Sequence, residues 1–316
     1  GYYPDHTSAL VDLDLFCSPA CSKYGAYTFF NGQFASLSAQ STLARAEYNA
    51  LQLTLRRRFA DGYQFDMNYT FGHAKDHGSA VERGSADGEF FNGGYTGYLI
   101  NSWDPDQQYA DADFDIRHQF NANWVAELPF GQGRRIGRNA GPLLNSIIGD
   151  WSVAGLFRLT SGLPFNVINC RSCWATNWQL QGNASLVDPN RLPATGTTKD
   201  ALNGKPSPFS EDLEKVPEYF RFDYPGEGGF RNLLRGDGFF TLDMSVNKSW
   251  KMPWGSNNRL SFRWDTFNVT NTPRFDAGNV IMTPDIGSTF GTYDGTYATC
   301  DGNAGRCMQF SARYEF

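Results

Sequence analysis

A chain of 316 residues is long enough for one large or two ordinary domains. Its net charge of −6, its pI near 5.3 and the lack of a basic stripe argue against nucleic acid as a partner. No run of about 18 apolar residues occurs, so no membrane-crossing helix is expected, although a strand-built membrane protein needs none.

Aromatic residues make up 16% of the chain and glycine contributes 33 positions, a mix that favours strands and turns over helices. The sequence opens at Gly1 without Met or leader, and is taken as mature, processed or a fragment. Residues 1–45 show a cysteine-bearing loop and a short strand near 33–40, with no clear architecture. The six cysteines fall into three close pairs, Cys17/Cys21, Cys170/Cys173 and Cys300/Cys307. Local pairs in turn-rich segments suggest disulfide clips formed in an oxidising compartment such as the periplasm. Cys170-x-x-Cys173 also has a zinc-like spacing, but no second Cys-x-x-Cys or His-x-x-x-His completes it.

From residue 46 onward the period is two. Leu51, Leu53 and Leu55 alternate with Gln52, Thr54 and Arg56, and Ala60-Asp61-Gly62 supplies the Asp-Gly of a tight hairpin. Tyr63, Phe65, Met67, Tyr69 and Phe71 then alternate with Gln64, Asp66, Asn68, Thr70 and Gly72. After a polar loop over about 75–112, a strand is expected from Phe114 through Ile116, His118, Phe120, Ala122, Trp124 and Ala126 to Leu128. The connector from Ile136 to Asp150, with Pro142, Leu143, Leu144, Ile147 and Ile148, suggests a short amphipathic turn at a membrane interface, functionally silent. Trp151, Val153, Phe157, Leu159, Leu163, Phe165 and Val167 form the next apolar row, before a very long loop over about 169–237.

Phe240, Leu242, Met244, Val246 and Trp250 follow, then the turn around Pro253–Asn258, then Leu260, Phe262 and Trp264. A last loop over about 276–304 precedes Met308, Phe310, Ala312, Tyr314 and Phe316, which alternate with Gln309, Ser311, Arg313 and Glu315. A terminal strand that is apolar on one side, charged on the other and closed by an aromatic looks like the last strand of a bacterial outer-membrane barrel. Connections alternate short and very long, as periplasmic turns and extracellular loops do. Phe59, Tyr63, Phe130, Trp151, Trp250, Trp254 and Phe316 collect near one edge, as a periplasmic aromatic girdle would. The expected fold is all-β: a transmembrane, antiparallel, up-and-down β-barrel over residues 46–316, in the bacterial outer membrane.

The polar row would then line a wet lumen. It carries Arg56, Asp66, Asp115, Arg117, Glu127, Arg158, Asp243, Arg263, Asp265, Arg313 and Glu315. Either these charges pair across strands as a solvated wall, or they hold a plug or guide a polar solute. Asp76, His77, Asp115 and His118 invite comparison with rim hydrolases, but His118 falls on the lipid-facing row, and no enzyme is expected. The outer loops are acidic, with Asp76, Glu82, Asp87, Glu89, Asp104, Asp106 and Asp111 in one and Asp276, Asp285, Asp294 and Asp301 in another. No EF-hand spacing is present; no cofactor is expected, with Ca²⁺ in these loops as the alternative.

Several segments resemble the C-terminal barrel region of the Oar-like TonB-dependent transporters. They are Tyr48-Asn49-Ala50-Leu51-Gln52-Leu53 through Arg58-Phe59, Tyr69-Thr70-Phe71, and Asp115-Ile116-Arg117-His118-Gln119-Phe120. Leu128-Pro129-Phe130-Gly131-Gln132-Gly133, Gly149-Asp150-Trp151-Ser152-Val153-Ala154-Gly155 and Ser161-Gly162-Leu163-Pro164-Phe165 continue the likeness. It ends with Phe262-Arg263-Trp264-Asp265-Thr266-Phe267-Asn268-Val269-Thr270-Asn271 and the terminal Phe316.

The resemblance implies a barrel of roughly 22 strands filled by an N-terminal plug, moving a solute across the outer membrane under an inner-membrane TonB energy-coupling complex. This chain would supply the C-terminal strands, with the plug and remaining strands from upstream sequence or another chain. Its other partners would be outer-membrane lipid and, through the C-terminal strand, the barrel-assembly machinery. Closure of about eight strands into a small barrel is the alternative architecture. The alternative role is a structural barrel protein whose large loops contact another protein.

Overall fold

Strict alternation satisfies both surfaces of a strand at once, and seven such segments form strands in the computed structural model. It describes residues 44–79, 104–167, 183–199, 206–221, 229–254, 258–275, 291–293, 295–300, 302 and 304–316. The long strands are β1 (Ala46–Ala60), β2 (Tyr63–Asp76), β3 (His118–Glu127), β4 (Trp151–Thr160), β5 (Phe239–Lys251), β6 (Arg259–Phe267) and β7 (Cys307–Glu315). All seven belong to one sheet, each pairing antiparallel with its neighbour in chain order. The shortest has 9 residues and the longest 15. A tilted strand needs about 9–11 residues to cross a bilayer.

The register keeps two faces intact across the whole sheet. Leu55, Met67, Ala122, Phe157 and Leu242 stand opposite one another in turn, as do Leu53, Tyr69, Phe120, Leu159 and Phe240. One residue away, Arg56, Asp66 and Asn123 line up, and so do Thr54, Asn68, Asn121, Arg158 and Thr241. Leu156 breaks the first of these polar rows, standing between Asn123 and Asp243. A one-residue slip at any pairing would mix the faces, so the register itself is selected by the pattern.

The apolar face is not a core. Leu53 is 56% exposed and Phe310 61% exposed, and Leu51, Leu55, Leu159 and Trp264 are similarly open. Among the described residues the buried apolar cluster lies elsewhere, in the connection between β4 and β5. Phe165, Val167, Ala184, Leu186, Phe209, Val216, Phe220 and Leu234 make it, with Leu213 and Tyr219 packed against them. Three small antiparallel pairs frame it: Pro164–Phe165 with Leu234–Arg235, Ser185–Leu186 with Phe220–Arg221, and Thr195–Lys199 with Pro206–Phe209.

This cluster corrects the expected apolar row of β4. The strand stops at Thr160; Phe165 and Val167 turn into the loop core, and Leu163 leaves the sheet with them. The loop boundaries shift accordingly, with β2 reaching Asp76 and β5 starting at Phe239. A second correction concerns β3, which starts at His118 rather than Phe114. Ahead of it the chain turns, with Asp115 N donating to Ala112 O and Gly72 N donating to Arg117 O.

At the other end the connections are tight. Asp61 and Gly62 both take positive φ (54° and 88°), the conformation a two-residue hairpin requires. Between β3 and β4 lies a one-helix connector, α1 (Pro142–Ile148), with Pro142 at its first position. The expected strand near 33–40, and with it Cys17 and Cys21, lies outside the described residues.

Candidate functional site

On the polar face, oppositely charged side chains meet across strands and along them. Arg56 Nε is 2.5 Å from Asp66 Oδ2, and Asn68 Nδ2 donates to the other Asp66 oxygen at 2.6 Å. Arg263 and Asp265 pair at 2.8 Å, Arg313 and Glu315 at 3.1 Å, and Glu127 takes Arg134 at 2.6 Å. Asp243 Oδ1 accepts from the Asn268 backbone N–H at 2.7 Å, and Arg158 lies over the Phe239 ring. Most of these arginines are open to solvent, so each pair contributes about 0–1 kcal/mol.

Asp115 and Arg117, expected in that row, belong instead to a buried ionic cluster at the long-loop end. Asp115 is only 1% exposed; one carboxylate oxygen accepts from Ala74 N at 2.6 Å, and the other meets Arg117 Nε at 3.2 Å and Arg235. Arg235 also reaches Asp111 Oδ2 at 2.6 Å. Beside it, Arg231 donates to Asp76 Oδ1 at 2.7 Å, to Asp113 Oδ1 at 2.9 Å and to Ser79 Oγ at 2.8 Å. Asn232 Nδ2 bridges Asp111 O and Asp113 Oδ1. The segment Arg231–Arg235 thus bolts the β4–β5 loop onto the end of β2 and the approach to β3. Asp113, Arg231, Asn232 and Arg235 carry no periodic or motif signal in sequence; the contacts that join Arg231, Asn232 and Arg235 to residues 76–115 span more than a hundred residues.

His73, Asp111 and Asp115 bring potential metal-ligating atoms within 4.8 Å of one another. Two guanidiniums, from Arg117 and Arg235, already sit on those carboxylates. A cation added there would meet two fixed positive charges, so the set does not fit a metal ion. Burial is the largest influence on the Asp111 carboxyl and pushes it up. Hydrogen bonds from His73 and Arg235, with the Arg117 charge, outweigh it and hold the group below the usual carboxylate range.

The four residues of the hydrolase comparison are not assembled into a site. Asp76 is held by Arg231 and Asp115 by arginines, while His77 Nδ1 accepts from Arg45 N at 3.1 Å. His118 stands on the apolar face, against Phe71, with Nδ1 2.8 Å from the Tyr69 hydroxyl. Each is committed to a different partner.

The aromatic residues expected in a girdle all lie at the tight-turn end. Trp151 and Trp250 stand on the apolar face, next to Lys248 and Leu260 respectively. Trp254 Nε1 donates to the Tyr314 hydroxyl at 2.9 Å, and Tyr314 stacks on Phe316. Phe59, Tyr63 and Phe130 flank the neighbouring turns. Of the cysteine pairs, Cys300 and Cys307 form a disulfide at the start of β7, and Cys170 and Cys173 lie outside the described residues.

No curated protein and no solved structure matches the chain. A family model described as an outer membrane beta barrel domain matches residues 7–309, nearly the whole sequence. With many large apolar side chains of one sheet face exposed, that match has a direct physical meaning: the chain belongs to the outer-membrane β-barrel domain family and resides in the bacterial outer membrane.

Proposed function

We propose that this chain is the C-terminal wall of a larger solute-transporting barrel, energised by a TonB-type coupling complex. The observation that carries the reading is the free edge of the sheet. Among the described residues β1 pairs only with β2, and β7 only with β6. β1 is 15 residues long, and each backbone group left unpaired along it within lipid costs several kcal/mol. In this reading strands beyond the seven described ones close the wall, and the seven are a fraction of a wide barrel. A wide barrel needs a plug to be selective, which is the arrangement the Oar-like transporters share.

In this reading the tight turns face the periplasm and the long connections face outward. The paired charges of the polar face line the lumen, and the aromatic residues at the turn end form the periplasmic girdle. The loop module above β4 and β5 is the rigid part of the mouth, where solute is first met. No covalent chemistry is assigned, and neither Ca²⁺ nor any other cofactor is required.

The test is the intact mass and N-terminal sequence of the protein extracted from native outer membrane, with site-specific cross-linking to the coupling protein. A mass far above 35.3 kDa, upstream plug sequence and a cross-link support transport. A mass near 35.3 kDa and no cross-link overturn it, and move a partner-binding role to first place.

A further inference from the structure

Three hydrogen bonds hang α1 from the apolar side of the sheet. Trp151 Nε1 donates to Ile147 O at 2.8 Å, Trp250 Nε1 donates to Ser146 O at 2.8 Å, and the Lys248 ammonium donates to Gly149 O. Trp151, Lys248 and Trp250 all belong to the apolar face. The helix is therefore fixed on the lipid side of the wall rather than beneath the lumen. Its own apolar residues point away from protein: Leu143 is 85% exposed, Ile147 68% and Leu144 52%.

The preceding loop is folded onto this helix as one unit. Asn145 Oδ1 accepts from Gln132 N at 2.6 Å, and Gly131 N donates to Ile136 O at 2.8 Å. Gly131 has φ +112°, and a Cβ there would collide with Gly149 and Asn145, so only glycine permits the close approach. The loop carries Arg134, Arg135 and Arg138. Arg134 is paired with Glu127, whereas Arg135 and Arg138 are exposed and have no ion pair among the described residues.

We infer that this loop and helix form a binding site for anionic glycerophospholipid of the periplasmic leaflet. Leu143, Leu144 and Ile147 enter the acyl boundary, continuous with the apolar face of the sheet. Arg135 and Arg138, exposed on the loop folded onto the helix, meet the phosphate and favour lipids whose headgroup adds no compensating ammonium. Guanidinium suits a phosphate because its planar donors bind two oxygens together. The inference rests on the membrane location and the turn-end orientation, and stands whether or not the barrel is a transporter.

The experiment is native mass spectrometry of the complete protein, released from detergent with equimolar phosphatidylglycerol and phosphatidylethanolamine of identical chains. Wild type is expected to retain phosphatidylglycerol preferentially. Each basic residue near an anionic surface is worth about fivefold in affinity, so R135Q/R138Q should lower that preference by roughly 30-fold. L143S/I147S should weaken retention of both lipids alike. Heat-modifiable gel migration checks that each variant is folded. Equal retention of the two lipids by wild type, or an undiminished preference in the folded arginine variant, overturns the site. If a variant does not fold, the wild-type comparison still decides.

Discussion

Arg231 and Asp76 stand 155 residues apart in the chain and meet at 2.7 Å, each only 7% exposed, at the loop end of β2. The same guanidinium holds Asp113 and Ser79, so one side chain joins the β4–β5 loop, the end of β2 and the approach to β3. Removing one member of a buried pair leaves its partners charged and uncompensated. R231M should therefore cost about 3–5 kcal/mol of local stability, read as new protease cleavage within residues 183–235. R56M, which breaks an open pair on the polar face, should leave stability almost unchanged. Equal effects of the two would show that the cluster does not fasten the loop.

The same cluster sets an acid limit. His73 Nε2 lies 2.7 Å from Asp111 Oδ1 and 2.8 Å from Arg117 Nη2. The Asp111 carboxyl is held below its unfolded value of about 3.9. A depressed carboxylate stabilises the folded state fully above the unfolded value, and that contribution is lost as pH falls through the folded one. Hydrogen exchange over residues 229–235, corrected for intrinsic rates, should accelerate as pH drops below about 4. D111N should show a shallower acid dependence; an unchanged one would remove Asp111 from the latch.

The two faces of the wall predict opposite responses from adjacent residues. Met67 lies between Leu55 and Ala122 on the apolar face, and Asn68 between Thr54 and Asn121 on the polar one. An arginine at a bilayer-facing midplane position costs about 2–4 kcal/mol, so M67R should lower the unfolding free energy in vesicles by that amount. N68R should change it little. Comparable losses at both positions would reverse or abolish the assigned faces.

These contrasts also show what sequence could and could not carry. Alternation reports that a strand has two environments, and so Leu51–Leu55, Tyr63–Phe71, Phe240–Trp250 and Met308–Phe316 were legible one residue at a time. It does not report what covers the apolar side. Phe165 and Val167 keep the period of Phe157 and Leu159, yet they enter a loop core closed by Phe209 and Leu234, far along the chain. Asp115 and Arg117 likewise keep the polar period of β3 while their main-chain neighbours turn. Asp115 is held there by Arg235, a partner 120 residues away that no local pattern announces, and Arg117 pairs in turn with Asp111 and Asp115. The amphipathic character of the β3–β4 connector was legible, but not the side on which it hangs, which Trp151 and Trp250 decide together.

Gly155 supplies a last case, in which a small residue is explained by the large one across from it. It stands opposite Trp124 in the register, and the indole folds over it so closely that any Cβ at position 155 would overlap the ring. The aromatic covers backbone that lipid could not solvate, which gives a glycine a place inside a lipid-facing strand. G155A must push the indole aside, at about 1–3 kcal/mol, the usual cost of overpacking. W124A exposes the Gly155 backbone and removes the obstruction together. In that background G155A should cost under about 0.5 kcal/mol, so the double-mutant cycle returns a coupling of about 0.5–3 kcal/mol. Urea unfolding of the four proteins in vesicles measures it. Additive losses would mean that the indole moves freely and that the glycine is kept for another reason.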